Sequence, residues 1–302
     1  MNILFAYSNL SAFIRTDLEI LRKHHFVDGF QWRGISCLAN LAMKIVKADI
    51  CLSWFLHGPS GPLVAFSKIA RKKCIVIAGG GECVALPKLG YGDMLKPVTR
   101  LAVKFVLKNA NLILAVSHFT AKETSKVCRP SKLCVVYNGV DTSVFKPAGS
   151  KEDLVLTTVG VPSRFQNVVL KGLPQFVAIA KKMSSVQFVA AGLPSDLVTY
   201  FKNRGPANLT ALPALSSASL LKWYQRAKVY CQLSLRESFG MAVAEAMSCG
   251  CIPVVAKRGA LPEVVGDCGF IVEPEDIEGA TQAIRLALAN HRNTGDRSRR
   301  RI

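Results

Sequence analysis

Short apolar segments rich in β-branched residues alternate with longer amphipathic segments along the chain. The apolar segments show no regular polar alternation, which is typical of parallel strands covered by helices on both faces. The pattern predicts strands at 2–6, 50–53, 74–78, 112–116, 133–136, 154–159, 187–191, 229–233 and 252–255. It predicts helices at 35–47, 97–109, 118–127, 174–182, 219–226, 241–249 and 277–290. We therefore expect an α/β protein with parallel sheets.

The β–α alternation runs along the chain twice, and its interruption predicts two domains. Pro, Gly, Ser and charged residues break the apolar pattern near 146–153. A chain of 302 residues also exceeds the size at which a single hydrophobic core stops growing. We expect Rossmann-like domains at 1–149 and 150–302.

The charge balance points to anionic partners. Lys and Arg number 39 against 20 Asp and Glu, a net charge of +19. Residues 1–149 hold 20 basic and 8 acidic groups, which gives +12 of this total. Such a field attracts nucleotides, nucleic acid, acidic lipid headgroups or phosphorylated substrates.

Cysteine spacing and the N-terminus favour a cytoplasmic protein. The ten cysteines include no C-x-x-C pair, and no His pair has the spacing of metal ligands, so neither a disulfide framework nor a zinc site is expected. The first residues lack the basic region and cleavage site of a signal peptide. Glycines and prolines interrupt the longest uncharged stretch, 50–67, which argues against a membrane-spanning helix.

Two carboxylates flank the start of the predicted helix 241–249. Glu237 falls in the loop after a buried strand, and Glu245 lies about one turn inside the helix. Backbone N–H groups near Gly240 and Met241 are left free at such a helix end, which suits a phosphate. A sugar joined to a diphosphate would fit this combination. The alternative is that Glu237 caps the helix and Glu245 is a solvated helix residue.

This segment, continued by Gly250 and Pro253, resembles the signature of the retaining nucleotide-sugar glycosyltransferases of family 4 (group 1), which have the GT-B fold. Three other segments resemble the family in the same order along the chain. They are 137–141, Gly160 with Lys171-Gly172, and 259–265. The resemblance is dense over about 112–290.

The resemblance implies two domains facing across a cleft and the transfer of a sugar, with retention, from a nucleotide diphosphate to an acceptor hydroxyl. Glu237 would orient the donor sugar, Glu245 would bind the ribose, and Lys171 with Arg164 would hold the diphosphate. The other donor-side residues that it implies are Gly160, Leu212, Phe239, Gly240 and Met241. It implies neither a cofactor nor a bound metal, because cations and a helix N-terminus can receive the developing charge.

On the acceptor side, the resemblance points to Gly80, Gly81 and Glu82 after a predicted strand and to His118 at a predicted helix start. A glycine-rich turn with a surface Glu82 is the alternative for the first group. For His118 the alternative is a capping role. His57 is expected to be an ordinary loop histidine.

The chain departs from the family pattern in three places. Arg164 is displaced from the usual Gly-Arg doublet, the first βα loop (7–10) lacks the usual Gly-Gly, and the chain ends in RSRRRI without the usual final helix. In the family that final helix crosses back onto the first domain, so its absence predicts either a less complete closure of the interdomain cleft or a truncated second domain.

The expected function is sugar transfer in glycan, glycolipid or cell-surface polysaccharide synthesis. Its expected partners are a nucleotide sugar, a sugar, lipid-linked or glycan acceptor, and an anionic membrane surface at the inner face. A basic series along helix 97–109 favours the membrane: Lys96, Arg100, Lys104 and Lys108. The alternatives are a nucleotide-sugar epimerase of the same fold and a basic nucleic-acid-binding protein. The latter is disfavoured because aromatic residues are not interleaved with the basic ones.

Overall fold

The computed structural model describes the backbone of residues 1–130, 132–160 and 165–302. The chain forms two compact units, Met1–Asn138 (unit 1) and Gly139–Ile302 (unit 2). The division precedes the predicted one at 149/150 because the connecting segment packs on unit 2. Within that segment, the Phe145 carbonyl accepts a hydrogen bond from the Ser248 hydroxyl, and the Phe145 ring lies 6.3 Å from the ring of Tyr224.

Unit 1 alternates strands and helices. Its elements are β1 (Asn2–Tyr7), α1 (Ala12–Arg22), β2 (Phe26–Gln31), α2 (Leu38–Lys47), β3 (Ile50–Trp54), α3 (Ser60–Ile69), β4 (Lys73–Ala78), α4 (Pro97–Asn109), β5 (Leu112–Ala115), α5 (His118–Val127) and β6 (Leu133–Val135). Short 3₁₀ turns lie at Ile35–Cys37, Gly81–Cys83, Pro87–Leu89 and Asp93–Leu95.

Unit 2 repeats the alternation. Its elements are β7 (Glu152–Thr158), α6 (Phe165–Leu170), α7 (Leu173–Lys182), β8 (Gln187–Ala191), α8 (Ser195–Arg204), β9 (Leu209–Ala211), α9 (Ser217–Arg226), β10 (Ala227–Gln232), α10 (Met241–Ser248), β11 (Ile252–Ala256), α11 (Leu261–Val265), β12 (Phe270–Val272), α12 (Ile277–Ala289) and α13 (His291–Arg301).

Each unit contains a six-stranded sheet whose neighbouring strands are all parallel. The strand orders are β2-β1-β3-β4-β5-β6 and β12-β11-β10-β7-β8-β9. The central strands of the unit 2 sheet are buried along most of their length, as in β11, in which every residue is buried. The prediction of an α/β protein with parallel sheets is therefore confirmed.

The strands that sequence analysis missed are β2, β9 and β12, and all three lie at a sheet edge. An edge strand buries less surface, so it does not need a long apolar segment. β2 contains Asp28 and Gly29 and exposes Phe26, and the other two strands have only three residues.

The C-terminal residues form a helix, α13, which the sequence pattern did not predict. Arg299 of α13 donates from its guanidinium to the carbonyls of Ser248 and Phe145, which holds the helix on unit 2. The Ser298 hydroxyl, which is buried, donates to the Cys268 carbonyl over 2.6 Å. None of the described helices is long and apolar enough to cross a membrane.

Candidate functional site

The loops that follow the carboxyl ends of β7, β8 and β9 meet at one edge of the unit 2 sheet. Gly160 and Gly192 both have positive φ (+73° and +84°), and a Cβ on Gly192 would lie 3.0 Å from the Gly160 nitrogen. The Leu193 N–H donates to the Leu212 carbonyl over 3.0 Å. Two of the predicted donor-side residues, Gly160 and Leu212, thus flank the loop after β8. Ligands of open parallel sheets bind at this edge.

Lys171 reaches the loop after β10 because two backbone contacts join the segments. The Leu235 N–H donates to the Leu170 carbonyl over 2.8 Å. Gly172 has φ +77°, and a Cβ there would overlap the Leu233 carbonyl, so only glycine permits this approach. The Lys171 Nζ consequently donates to Glu237 Oε1 over 2.6 Å.

The Glu237 carboxylate is the end point of a chain of hydrogen bonds. The Tyr230 hydroxyl, 2.6 Å from Thr158 Oγ1, donates to Gln232 Oε1 over 2.8 Å. The Gln232 amide donates in turn to Ser234 Oγ. The Ser234 hydroxyl then donates to Glu237 Oε1 over 3.1 Å. Because every link donates towards Glu237, the chain orients its carboxylate together with Lys171.

The backbone of Glu237 is fixed as well. The Ala260 N–H donates to the Glu237 carbonyl over 3.0 Å. A Cβ on Gly259, whose φ is +62°, would overlap that same carbonyl. Glycine is therefore required at position 259 for the loop to hold Glu237 in place.

Helix α10 begins immediately after this loop. Its N-cap is Gly240 (φ +105°), three residues after Glu237, so the alternative that Glu237 is the helix cap is wrong. Phe239 is buried at 7% exposure, and Met241 is the first helical residue. The first N–H groups of a helix have no intrahelical partner, and the helix dipole is positive at this end. An anion can therefore be bound beside Glu237.

Glu245 lies one turn inside α10 and is half-buried, so the alternative of a solvated residue is wrong. Its Oε2 accepts a hydrogen bond from the Tyr224 hydroxyl over 3.1 Å. Burial raises the pKa of Glu245 to about 7, although the Tyr224 hydrogen bond opposes this rise. The side chain therefore changes charge near neutral pH.

Unit 1 places the predicted acceptor-side glycines at the end of β4. Gly80 has φ +102° and precedes the 3₁₀ turn that begins at Gly81. Glu82 is 1% exposed, so the alternative of a surface glutamate is wrong. Its Oε1 accepts backbone N–H groups from Gly79 (2.8 Å) and Leu56 (3.3 Å), and burial raises the pKa of its carboxyl. A role of these residues towards the acceptor stays a prediction.

The two histidines of interest in unit 1 have different environments. His118 is the exposed first residue of α5, and its ring lies 6.1 Å from that of Tyr137. The helix cap is Ser117, whose hydroxyl accepts the Thr120 N–H over 3.0 Å, so the capping role assigned to His118 is wrong. His57 is more than a loop residue, because its Nε2 lies 3.1 Å from Asp93 Oδ2 and this contact raises the pKa of His57.

Sequence analysis missed the residues that support the carboxylates. Tyr230, Gln232 and Ser234 alternate along β10 and its continuation, and this polar alternation was the available signal. Nothing in the sequence around Tyr224 indicated that its hydroxyl would contact Glu245. Arg164, predicted to contact the diphosphate, lies outside the described residues. Within the described parts of the chain, no group of three or more His, Cys, Asp or Glu residues could hold a metal ion.

Comparison with protein families assigns both parts of the chain. The family model described as glycosyl transferases group 1 matches residues 146–302. The model described as Glycosyltransferase Family 4 matches residues 8–144.

Two curated relatives illustrate the range of similarity. The N-acetyl-alpha-D-glucosaminyl L-malate synthase of Bacillus anthracis is 26% identical over 257 residues, which cover 73% of this chain and 66% of the relative. The MMP alpha-(1->4)-mannosyltransferase of Mycolicibacterium hassiacum is 30% identical over 288 residues, which cover 88% of this chain and 64% of the relative. The chain thus spans slightly less than two thirds of the length of these relatives.

Solved structures share the fold at low sequence identity. HepE of Anabaena, in complex with UDP, has a TM-score of 0.75 and 17% identity, covering 100% of this chain and 93% of that chain. The sucrose-phosphate synthase of Thermosynechococcus elongatus has a TM-score of 0.74 and 15% identity, and the match covers 100% of this chain and 94% of that chain. These neighbours confirm the predicted GT-B fold class. Since one family model alone covers more than half of its residues, the chain belongs to the group 1 glycosyl transferases, as the resemblance to family 4 predicted.

Proposed function

We propose that this protein transfers a sugar, with retention, from a nucleoside-diphosphate sugar to an acceptor hydroxyl. The observation that carries the proposal is the grouping of Lys171, Glu237 and the N-terminus of α10 in one site of unit 2. A cation and a helix N-terminus suit a diphosphate, whereas a fixed carboxylate suits sugar hydroxyls.

In the proposed reaction, the bond between the sugar C1 and the diphosphate oxygen breaks, and the acceptor oxygen bonds to C1 from the same face. The acceptor proton passes to the departing phosphate oxygen. Lys171 and the N–H groups at the start of α10 stabilise the negative charge that develops on the diphosphate. Glu237 holds the sugar hydroxyls and keeps Lys171 in place.

Glu245 is proposed to accept hydrogen bonds from the ribose hydroxyls. It lies one turn inside α10, the helix whose N-terminus adjoins Glu237, and its partner Tyr224 orients it. Gly160 and Leu212 are proposed to line the donor site, because they border the loop after β8 at the same sheet edge.

The proposal needs no cofactor and no bound metal, since Lys171 and the helix dipole supply the positive charge at the diphosphate. The acceptor is proposed to be a sugar, a lipid-linked sugar or a glycan, in synthesis of a glycan, glycolipid or cell-surface polysaccharide. The cysteine spacing supports the cytoplasm as the proposed compartment. An anionic membrane surface is a further proposed partner.

Thermal unfolding of the purified protein with UDP-, GDP- and ADP-sugars tests the proposal. We expect donors of one nucleotide class to raise the melting temperature. Lipid-linked and sugar acceptors are then screened for transfer with that donor. The product anomer, measured by proton NMR, should match that of the donor. Conversion of the donor sugar to its epimer without acceptor would instead establish an epimerase, and no stabilisation by any donor would refute the proposal.

A further inference from the structure

The outer face of α4 carries a line of exposed apolar side chains. Val98, Leu101 and Phe105 are 80%, 70% and 40% exposed. Their spacing of three and four residues places them on one stripe of the helix. Exposed apolar residues that are contiguous mark interaction surfaces, unlike those scattered singly.

A basic line runs beside this apolar stripe. Arg100, Lys104 and Lys108 recur every four residues and are all exposed. None of them forms an ion pair with the described residues, although Arg100 donates to the Met94 carbonyl over 2.9 Å. These charges are therefore available to an external anion.

A basic pocket lies at the C-terminal end of the stripe. Asn109, one turn beyond Phe105, accepts a hydrogen bond from the Lys68 Nζ of α3 over 2.9 Å. Beside this contact is a cavity of about 260 Å³, and its charged lining residues are all cations. They are Lys68, Arg71, Lys72 and Lys73. Ile69, next to Lys68 in the sequence at the end of α3, is 79% exposed and adds an apolar side chain at this end of α3.

We propose that α4 and the C-terminal end of α3, together named the α3–α4 surface, dock unit 1 on an anionic phospholipid bilayer. The apolar stripe enters the lipid interface, and the flanking basic residues contact headgroups. The pocket beside Lys68 receives a lipid phosphate. This proposal builds on the proposed function, because it assigns the anionic membrane partner to a defined surface of unit 1. Binding of the membrane by this surface does not depend on a donor bound in unit 2.

A bilayer fits this surface better than the other anionic partners, because it can contact both the apolar stripe and the basic side chains of α4. An interfacial helix buries its apolar face while its basic residues contact acidic lipids. Nucleic acid would pair with the cations but would leave Val98 and Leu101 in water. The pocket also lies where β4 and β5 begin, at the sheet edge opposite the loops that carry Gly80 and Glu82. A bound bilayer thus leaves those loops free.

Flotation of the full chain with vesicles tests this proposal. The vesicles contain phosphatidylcholine alone or with 30 mol% phosphatidylglycerol, at low and high salt. The first variant, Lys104→Glu with Lys108→Glu, has Lys202→Glu with Arg204→Glu on α8 as its matched control, since those residues are exposed and carry the same charge. The second variant, Val98→Gln with Leu101→Gln, has the exposed Tyr200→Gln as its control.

We expect salt-sensitive binding that requires phosphatidylglycerol. The partition coefficient should fall about fivefold for each lysine removed, and the reversal of charge to glutamate should lower it further. The apolar variant should bind at least about fivefold more weakly, while both controls bind like wild type. Equal flotation with both vesicle types, or a loss of binding in the α8 control equal to that in the α4 variant, would overturn the proposal. So would retention of a DNA duplex without retention of vesicles.

The donor site is measured separately in the same preparations. Nucleotide-dependent thermal stabilisation reports on unit 2, so a failure of vesicle binding with normal stabilisation refutes only the α3–α4 surface. The folding of unit 1 in the α4 variants is checked separately, by a far-ultraviolet circular dichroism spectrum and a ligand-free melting curve that match those of wild type.

Discussion

The Nζ of Lys171 lies 2.6 Å from Oε1 of Glu237, and the two side chains are 30% and 14% exposed. Each residue holds the other at the sheet edge before any ligand is present. A diphosphate would attract the same ammonium group, so on ligand binding Lys171 would share its hydrogen bonds between Glu237 and the diphosphate. Binding would therefore not have to order two mobile side chains. Such preorganisation lowers the entropic cost of binding.

Glu237→Gln should lower turnover while nucleotide affinity stays nearly level. The amide keeps the shape of the side chain but loses the charge that strengthens hydrogen bonds from sugar hydroxyls. We expect kcat to fall at least about tenfold, which corresponds to one lost charge-assisted hydrogen bond. Steady-state kinetics and nucleotide calorimetry measure the two effects, with the exposed Glu278→Gln as control. Unchanged turnover would remove Glu237 from the reaction.

Tyr230→Phe should weaken both the fold of unit 2 and the site. The phenol is buried and supplies the hydrogen bond to Gln232 Oε1, which is also buried. The orphaned acceptor should cost about 1–3 kcal/mol in the free energy of unfolding. Chemical denaturation measures this cost, and the exposed Tyr200→Phe is the matched control. Equal stability of the two variants would show that the hydrogen-bond chain contributes nothing.

Glu245→Gln should stabilise the ligand-free protein more at high pH than at low pH. The folded pKa of Glu245, about 7, lies above the unfolded value of 4.5, so ionisation opposes folding as the pH rises through this window. The amide still accepts the Tyr224 hydroxyl but carries no charge. We expect the gain in the free energy of unfolding to be about 2 kcal/mol larger at pH 8 than at pH 5. Denaturation of wild type and variant at both pH values measures it, and a gain independent of pH would contradict the burial of an ionisable group.

The sequence pattern was sufficient for the central strands of both sheets. Segments such as 252–255 are buried on both faces, so their apolar character follows from their position. The edge strands β2, β9 and β12 have no such constraint, and helix α3 lacks the polar face that a periodic pattern requires. The final helix was missed because its sequence is almost wholly polar and its contacts are made by Arg299 and Ser298 to carbonyls.

The site could be predicted in part. Glu237 and Glu245 follow from their spacing around a helix start, and Lys171 follows from family resemblance. Their mutual contact depends on Gly172 and Gly259, whose role appears only once the neighbouring carbonyls are placed. The burial of Glu82 could not be foreseen, since a glutamate after three glycines is usually solvated. It is buried because its carboxylate binds the N–H groups of two loops.

The most direct test of donor binding compares Lys171→Ala with wild type by calorimetry, using UDP, GDP or ADP, whichever stabilises the protein, and the matching nucleoside. Lys182→Ala is the control, because Lys182 lies at the far end of α7 and pairs with Glu278 on the surface. We predict that Lys171→Ala weakens diphosphate binding about 10- to 100-fold and leaves nucleoside binding within about twofold, since the proposed contact of this ammonium with the ligand is to the diphosphate and not to the nucleoside. Equal losses for both ligands, or no loss for the diphosphate, would contradict the assignment of this site.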